Sequence, residues 1–327
     1  MPLLSIVVPV YNVDRYLKEG IDSLLNQSVE DVEIICVDDK STDDSLLLLS
    51  EYANKDARVK VVEMSKNSGP SSARNIGMKI ATGKYITFFD PDDIVSNVMY
   101  KKMIEEAEKF DADIVQCAYQ THPDGNQIYA GFPPSQLMHP REYISSVSHL
   151  NSSSNLCYSW RFVYRTRLLE EIHAHYNENV RIGEDAAFNF RMIMSARNII
   201  YVPECLYYYR VNNMNSAMRI KHKPWMESSL ALQIADKKTV AEEFNVDNYT
   251  SFTKDMNEDI VKRYTMMMFN NLRPEDKDEG IRRILNMPMV REAFRDVGYK
   301  NIYPSFKEYL FFLMMKWKLY KLVGMFL

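Results

Sequence analysis

No G-x-G-x-x-G loop follows the first apolar run of this chain; the segment there reads Pro9-Val10-Tyr11-Asn12-Val13-Asp14-Arg15-Tyr16-Leu17. That absence excludes a dinucleotide-dependent oxidoreductase, whose glycines let the backbone approach a pyrophosphate. It also excludes a nucleotidyltransferase on a related α/β fold, which would need a glycine-rich, basic phosphate loop at the same place. Cysteine is scarce. Cys36, Cys117, Cys157 and Cys205 are far apart and form no C-x-x-C pair, so neither a zinc site nor a disulfide framework is expected. Cys36 and Cys117 sit in apolar, strand-like runs and read as buried free thiols of a reducing cytosol. Basic excess is missing too: 40 Lys and Arg stand against 44 Asp and Glu, a formal net charge of −4. Nothing there neutralises a phosphate backbone, so no nucleic-acid partner is expected, although phosphates can still bind locally. The opening Met1-Pro2-Leu3-Leu4-Ser5 lacks a basic stretch followed by a long apolar one, which predicts no signal peptide and a cytoplasmic location. Internal repeats and low-complexity segments are absent as well.

What is present is an ordinary globular composition, 46% hydrophobic and 26% charged over 327 residues. That suffices for a sizeable core in about two domains, or one domain with an appended subdomain. Strands are predicted at Ser5–Val10, Glu33–Val37, Val59–Val62, Lys84–Phe89 and Asp113–Ala118. Helical segments lie between them. Leu17, Ile21, Leu24 and Leu25 recur at helical spacing. Ser41 or Thr42 is the expected cap of the second helix. Pro70 opens the third, with Ala73, Ile76, Gly77 and Ile80 as its buried stripe. A fourth helix is expected over about Val95–Phe110. Alternating strands and helices imply an α/β fold, a mostly parallel sheet covered on both faces. Beyond residue 120 the signal weakens, with turns at 122–126, 132–135 and 151–155. Strands return at Trp160–Tyr164, Ile199–Val202 and Leu206–Arg210, a helix follows Arg167, another opens at Gly183, and the chain reads as helical from Trp225 onward.

Such sheets bind ligands at the carboxyl ends of their strands. Three ends stand out: Pro9-Val10-Tyr11-Asn12, Asp38-Asp39-Lys40-Ser41 and Asp90-Pro91-Asp92-Asp93. The last crowds three carboxylates into four residues, which suits a hard divalent cation held with substrate phosphates. The plainer alternative is a solvated acidic turn in which Asp92 or Asp93 caps the next helix. Asp39 is placed to accept hydrogen bonds from a base or ribose, or simply to close a turn. Arg74, in the first turns of its helix, either reaches back to a phosphate or the acidic turn, or is a surface arginine. Gly183-Glu184-Asp185 is either a helix cap or the source of a general base.

In order along the chain, PVYN, VDD, SSARN, FFDPDD and GEDAAF resemble the family 2 inverting glycosyltransferases of the GT-A fold, from Leu4 to about Ser216. The resemblance implies a Rossmann-like GT-A sheet and sugar transfer from a nucleotide-sugar, most simply a UDP-sugar, to an acceptor hydroxyl of a glycan or lipid-linked acceptor in surface polysaccharide synthesis. Pro9 and Tyr11 then match the turn lining the base, Asp39 the acid on uracil, and Arg74 the arginine near base and phosphates. Asp90 and Asp92 match the DxD pair, Asp92 as ligand of Mn²⁺ or Mg²⁺ and Asp90 near ribose or sugar, with Asp93 structural. Asp185 matches the catalytic base and Glu184 lies near the acceptor. Arg210 of Tyr208-Tyr209-Arg210, with Ser216, approaches the diphosphate, and Trp160 begins the acceptor side. Lys40 departs from the family pattern, which often has glycine or asparagine there. His222 is the nearest histidine for a further metal ligand, and a plain surface histidine is the simpler reading. The implied domains are 1–220, split into a nucleotide-sugar half (1–118) and an acceptor half (119–220), and a helical region 221–327. A competing reading is a non-catalytic module of the same fold that holds a nucleotide-sugar or a partner protein.

The tail is distinctive. Seven apolar residues, Tyr309–Met315, precede Lys316-Trp317-Lys318-Leu319-Tyr320-Lys321 and then Leu322–Leu327. The lysines argue against a membrane span, since each costs about 2.5–3.5 kcal/mol at a bilayer centre. Two readings remain: a helix lying in the interface at the inner face of the cell membrane, or a helix packed on the body or another subunit.

Overall fold

The computed structural model describes residues 1–147, 154–213, 221–297 and 305–327. Two compact units result, one holding Met1–Val147 and Ser154–Asn215, the other built on Ser216–Leu327.

The first unit is an α/β domain. Its strands are β1 (Leu4–Val10), β2 (Val32–Asp38), β3 (Val59–Glu63), β4 (Tyr85–Phe88), β5 (Ile94–Val95), β6 (Ile114–His122), β7 (Gln127–Ile128), β8 (Phe162–Arg165) and β9 (Ile199–Arg210). They form one sheet in the order β3-β2-β1-β4-β8-β6-β9-β5, with β7 paired to β6. The pairs β1–β2, β1–β4, β2–β3 and β6–β9 are parallel, whereas β8 lies antiparallel between β4 and β6. The sheet is mostly parallel, as the alternation of elements predicts. Every residue of β1 and β2 is buried, which is why both read as unbroken apolar runs rather than alternating ones.

Helices cover both faces. Leu17, Ile21 and Leu24 of α1 (Asp14–Leu25), Leu49 of α2 (Ser45–Lys55) and Met99, Tyr100 and Met103 of α4 (Met99–Lys109) pack with Ile6, Val8, Ile34 and Cys36. On the opposite face, α3 (Pro70–Ile80) sets Ala73 against Ile35 and Val37. Its Gly77 is required there: a Cβ would sit 2.3 Å from Val7 Cγ1. Further helices of this unit are α5 (Pro140–Ser146), α6 (Thr166–Glu171) and α7 (Glu184–Ser195). Cys36 and Cys117 are buried free thiols, as expected.

Several expectations need correction. Ser41 and Thr42 do not cap α2: the Asn12 N–H donates to Ser41 Oγ and the Thr42 N–H to Asn12 Oδ1, tying the ends of β1 and β2 together. The helix expected over 95–110 is shorter, because Ile94–Val95 is drawn into β5 opposite Tyr207 and Tyr208. Ile80, at the last turn of α3, is exposed. The two strands expected after Ile199 are one. Pairing with β6 jumps from Val202 to Cys205 and then to Tyr207, so Pro203 and Glu204 are absorbed in a bulge where proline's missing N–H breaks no ladder bond.

The second unit is helical: α8 (Met226–Glu243), α9 (Phe252–Asp259), a π-turn (Ile260–Tyr264), α10 (Thr265–Asn270), α11 (Lys277–Asn286), α12 (Pro288–Asp296), α13 (Phe306–Lys316) and α14 (Tyr320–Phe326). The tail is therefore a hairpin, broken at Lys318, whose φ is +56°. It packs on its own unit through Phe312 against Phe294 and through buried Met314, Met315 and Val323. Among the described residues no helix is long and apolar enough to cross a membrane.

Candidate active site

The parallel register puts the carboxyl ends of β1, β2 and β4 on one rim, with Val10 opposite Asp38 and Val7 opposite Phe88. Pro9 is buried within β1, opposite Val37. Tyr11, just past the strand, is 49% exposed, an aromatic face open at the rim. Asp39 is buried, and its two oxygens accept the N–H groups of Ser68 and Gly69, each at 2.7 Å. That pair fixes the loop entering α3. Burial nonetheless raises its pKa, outweighing those two donors. Each oxygen keeps a further lone pair for a ligand donor. Lys40 adopts a φ of +63°, a left-handed conformation that glycine and asparagine take at less cost, and its Nζ pairs with Glu63 at 2.5 Å.

The acidic turn after β4 divides its carboxylates. Asp93 is fully buried; it accepts the Tyr207 hydroxyl at 2.8 Å and the Arg210 N–H at 2.7 Å. Burial, then Asp92 and Asp90, raise its pKa well above the usual range. Asp92 accepts Asn213 Nδ2 at 2.7 Å, and burial followed by the neighbouring Asp90 raises its pKa. Neither caps α4, which starts only at Met99 with Val98 as its cap residue. Asp90 Oδ1 meets Arg74 Nη2 at 3.1 Å.

Arg74 is the junction. It is 7% exposed, rests over the Tyr176 ring at 5.3 Å, and its Nη1 donates to Glu184 Oε1 at 3.1 Å. Its Nε has no partner. One buried guanidinium thus joins the turn at 90–93 to the helix start at 183–186, two motifs about ninety residues apart in sequence. Gly183, at φ +70°, turns the chain into α7. Asp185 then accepts the Tyr158 N–H at 2.5 Å and its own helix's Ala186 N–H at 2.7 Å. Burial raises the pKa of both Glu184 and Asp185. Arg210 donates from Nε to the Asp92 carbonyl at 2.6 Å and from Nη2 to Glu19 at 2.6 Å. Trp160 is buried and stacks on Tyr207 at 3.8 Å between ring centres. Ser216 lies outside the described residues. His222 belongs to the second unit, where Nδ1 meets the Asn271 carbonyl at 2.9 Å.

Sequence reasoning missed Tyr158, Tyr176, Tyr207 and Asn213. Tyr158 holds Asp185 through its backbone from a left-handed φ of +67°; a backbone donor leaves no trace in a motif. Tyr207 adjoins the Tyr208-Tyr209-Arg210 segment and was the one within reach of a closer reading. Among the described residues no group of three or more His, Cys, Asp or Glu side chains is gathered to hold a metal.

A Rossmann-like sheet with an acidic turn after its fourth strand and a second acidic pair facing it defines a GT-A glycosyltransferase. Residues 5–172 match the family described as Glycosyl transferase family 2; the chain belongs to that family and is a glycosyltransferase. It is 34% identical over its whole length to an uncharacterized glycosyltransferase, EpsJ, of Bacillus subtilis, covering 96% of that protein. It is 30% identical, over 64% of its length and 35% of the relative's, to TarS of Staphylococcus aureus, a poly(ribitol-phosphate) beta-N-acetylglucosaminyltransferase. The structure of TarS 1–349 with UDP-GlcNAc superposes with a TM-score of 0.64 at 21% identity, covering 98% of this chain and 89% of the other. A Pyrobaculum calidifontis mannosyltransferase solved with GDP-Man and Mn²⁺ superposes at 0.52 and 14% identity, covering 99% and 86%.

Proposed function

We propose that this protein is an inverting glycosyltransferase that moves a sugar from a UDP-sugar to an acceptor hydroxyl in surface polysaccharide or glycan synthesis. The observation that carries this reading is the Arg74 junction, in which one guanidinium pairs with Asp90 of the acidic turn and with Glu184, the neighbour of the candidate base Asp185. TarS, crystallised with UDP-GlcNAc, supports the choice of donor by kinship.

Tyr11 would stack on the base, with Pro9 shaping the turn beneath it, and Asp39 would accept from uracil. Arg74 and Arg210, with Ser216, would face the diphosphate. Asp185 would take the proton from the attacking hydroxyl. Its carboxylate is oriented by the Tyr158 and Ala186 N–H groups, and burial raises its pKa, making it a stronger base than an exposed aspartate. Glu184 would line the acceptor side. Because the base acts deprotonated, transfer should fall on the acid side at a pH above that of an ordinary carboxylate.

Asp90 and Asp92 fit a divalent cation in donor chemistry: oxygen ligands crowded together, Asp92 raised by burial and by Asp90. Two carboxylates completed by substrate phosphates are a usual seat for Mg²⁺ or Mn²⁺. Asp92 would be the principal ligand, and such an ion neutralises charge on a departing nucleoside diphosphate. The acceptor is proposed to be a glycan or lipid-linked chain, met at the inner face of the cell membrane. A thermal-shift screen with manganese over UDP-, GDP-, dTDP- and CMP-sugars tests the donor. UDP-sugars should raise Tm most, and no shift from any UDP-sugar would reject the uracil assignment of Asp39. Metal-dependent donor hydrolysis would set the enzyme apart from a binding module.

A further inference from the structure

Isolated exposed apolar side chains are ordinary on a protein surface. Their crowding is not. Of the fifteen large hydrophobic side chains exposed among the described residues, seven fall in the α13–α14 hairpin: Phe306, Trp317, Leu319, Leu322, Met325, Phe326 and Leu327. The helix α14 explains why. Its inner side is committed to its own unit, with Val323 fully buried and Gly324 near Asp278 and Ile281. The outward side carries Lys321, Leu322, Met325 and Phe326, one face at spacings of one, four and five. That face is apolar where a solvent-facing helix should be polar. Trp317, 73% exposed, stands beside it on the turn, and Met325 is 81% exposed.

Charge selects the occupant. Residues 305–327 carry Lys307, Lys316, Lys318 and Lys321 against the single acid Glu308, in a chain whose net charge is −4. A second copy docked through this face about a two-fold axis would set lysines against lysines. An anionic surface with an apolar interior satisfies both features at once: leucine, methionine and phenylalanine enter the acyl boundary, tryptophan sits at headgroup depth, and the lysines meet lipid phosphates. We propose that the outward face of α14, with Trp317 and the lysines around it, docks on an anionic phospholipid bilayer. The hairpin lies on the surface and does not span. This deepens the membrane-side reading above without resting on the donor chemistry, and vesicle binding is measured without donor or acceptor, so that either can fail alone.

The test is co-sedimentation of the full chain with vesicles of phosphatidylcholine containing about a third phosphatidylglycerol, in low salt. The wild type should pellet with them. Binding should drop about tenfold or more on vesicles of phosphatidylcholine alone, and again when salt is raised. The double variant Leu322→Glu, Met325→Glu alters two exposed side chains, so it should melt like the wild type while its binding falls about tenfold or more. A wild type that stays in the supernatant overturns the proposal, as does a double variant that binds undiminished. If light scattering instead finds a dimer that the double variant dissociates, with no vesicle binding, the face belongs to a second copy and the bilayer assignment is wrong.

Discussion

The turn at 90–93 and the helix start at 183–186 are both acidic, yet they are held in opposite ways. The turn is anchored from a distant strand and the segment just after it: Tyr207, the Arg210 backbone and Asn213 take up Asp93 and Asp92. The helix start is held by backbone, through Gly183 at φ +70° and the left-handed Tyr158 that donates to Asp185. Arg74 faces both and saturates neither, since Asp90 and Glu184 each keep oxygen capacity beyond it. Asp93, fully buried with its oxygens taken by Tyr207 and the Arg210 N–H, is architecture. Asp90, half-buried with one oxygen on Arg74, keeps lone pairs that a ligand can use. Residue type cannot make that distinction; the partners can.

Variants can break this division. Within the turn the largest effect is expected from Asp92→Ala, which should weaken metal-dependent donor binding by on the order of 10²-fold; calorimetry with manganese and with EDTA checks it, and identical affinities would remove Asp92 from the metal. Asp93→Ala should act on stability instead. It strands the Tyr207 hydroxyl and the Arg210 N–H, a loss of about 2–3 kcal/mol in denaturant unfolding. A variant as stable as wild type would show that Asp93 does not anchor the turn.

Glu33 sharpens the contrast, as an architectural acid far from the rim in sequence. It accepts from Ser5, from the Thr82 N–H and hydroxyl, and from Lys60. Burial pushes its pKa up, but these donors outweigh it and hold the pKa at about 2, below the ordinary 4.5. A depressed folded pKa stabilises above the unfolded value and is lost as pH falls towards the folded one. Glu33→Gln should therefore cost about 2 kcal/mol at neutral pH, and its penalty should shrink as pH drops from 4.5 towards 2. A penalty independent of pH would contradict this. The smallest effect belongs to Lys40→Asn. Relief of the left-handed strain should offset the exposed pairing with Glu63, leaving Tm unchanged or raised by about 2 °C; a clear fall in Tm would mean that the ion pair dominates.

Much of this was legible in sequence, for a physical reason. Strands buried on both faces are continuous apolar runs, so β1 and β2 could be read directly, and their ends located the rim. The limits were equally physical. Pro203 broke the apolar run of β9, although the chain passes it as a bulge. Asn12 claimed Ser41 and Thr42 from across the rim, so a local cap rule failed to a long-range contact. Asp90, Asp92 and Asp93 look alike in a string of letters and only the resemblance separates them there; the strand that returns beside them supplies the partners of the buried Asp93. The Tyr158 N–H on Asp185 is a backbone group in a strained conformation, invisible to residue type. The letters of the tail do not separate its two readings; the hairpin commits its inner side to its own unit and leaves apolar side chains exposed on the other.

The most direct test of the central claim is single-turnover kinetics of Asp185→Asn with a UDP-sugar, metal and acceptor. The amide retains size and acceptor oxygen but cannot take a proton. Donor affinity should stay within about twofold, while the rate of transfer falls on the order of 10³-fold, within the range that general-base catalysis supplies. Transfer at the wild-type rate would contradict the assignment of Asp185 as the base.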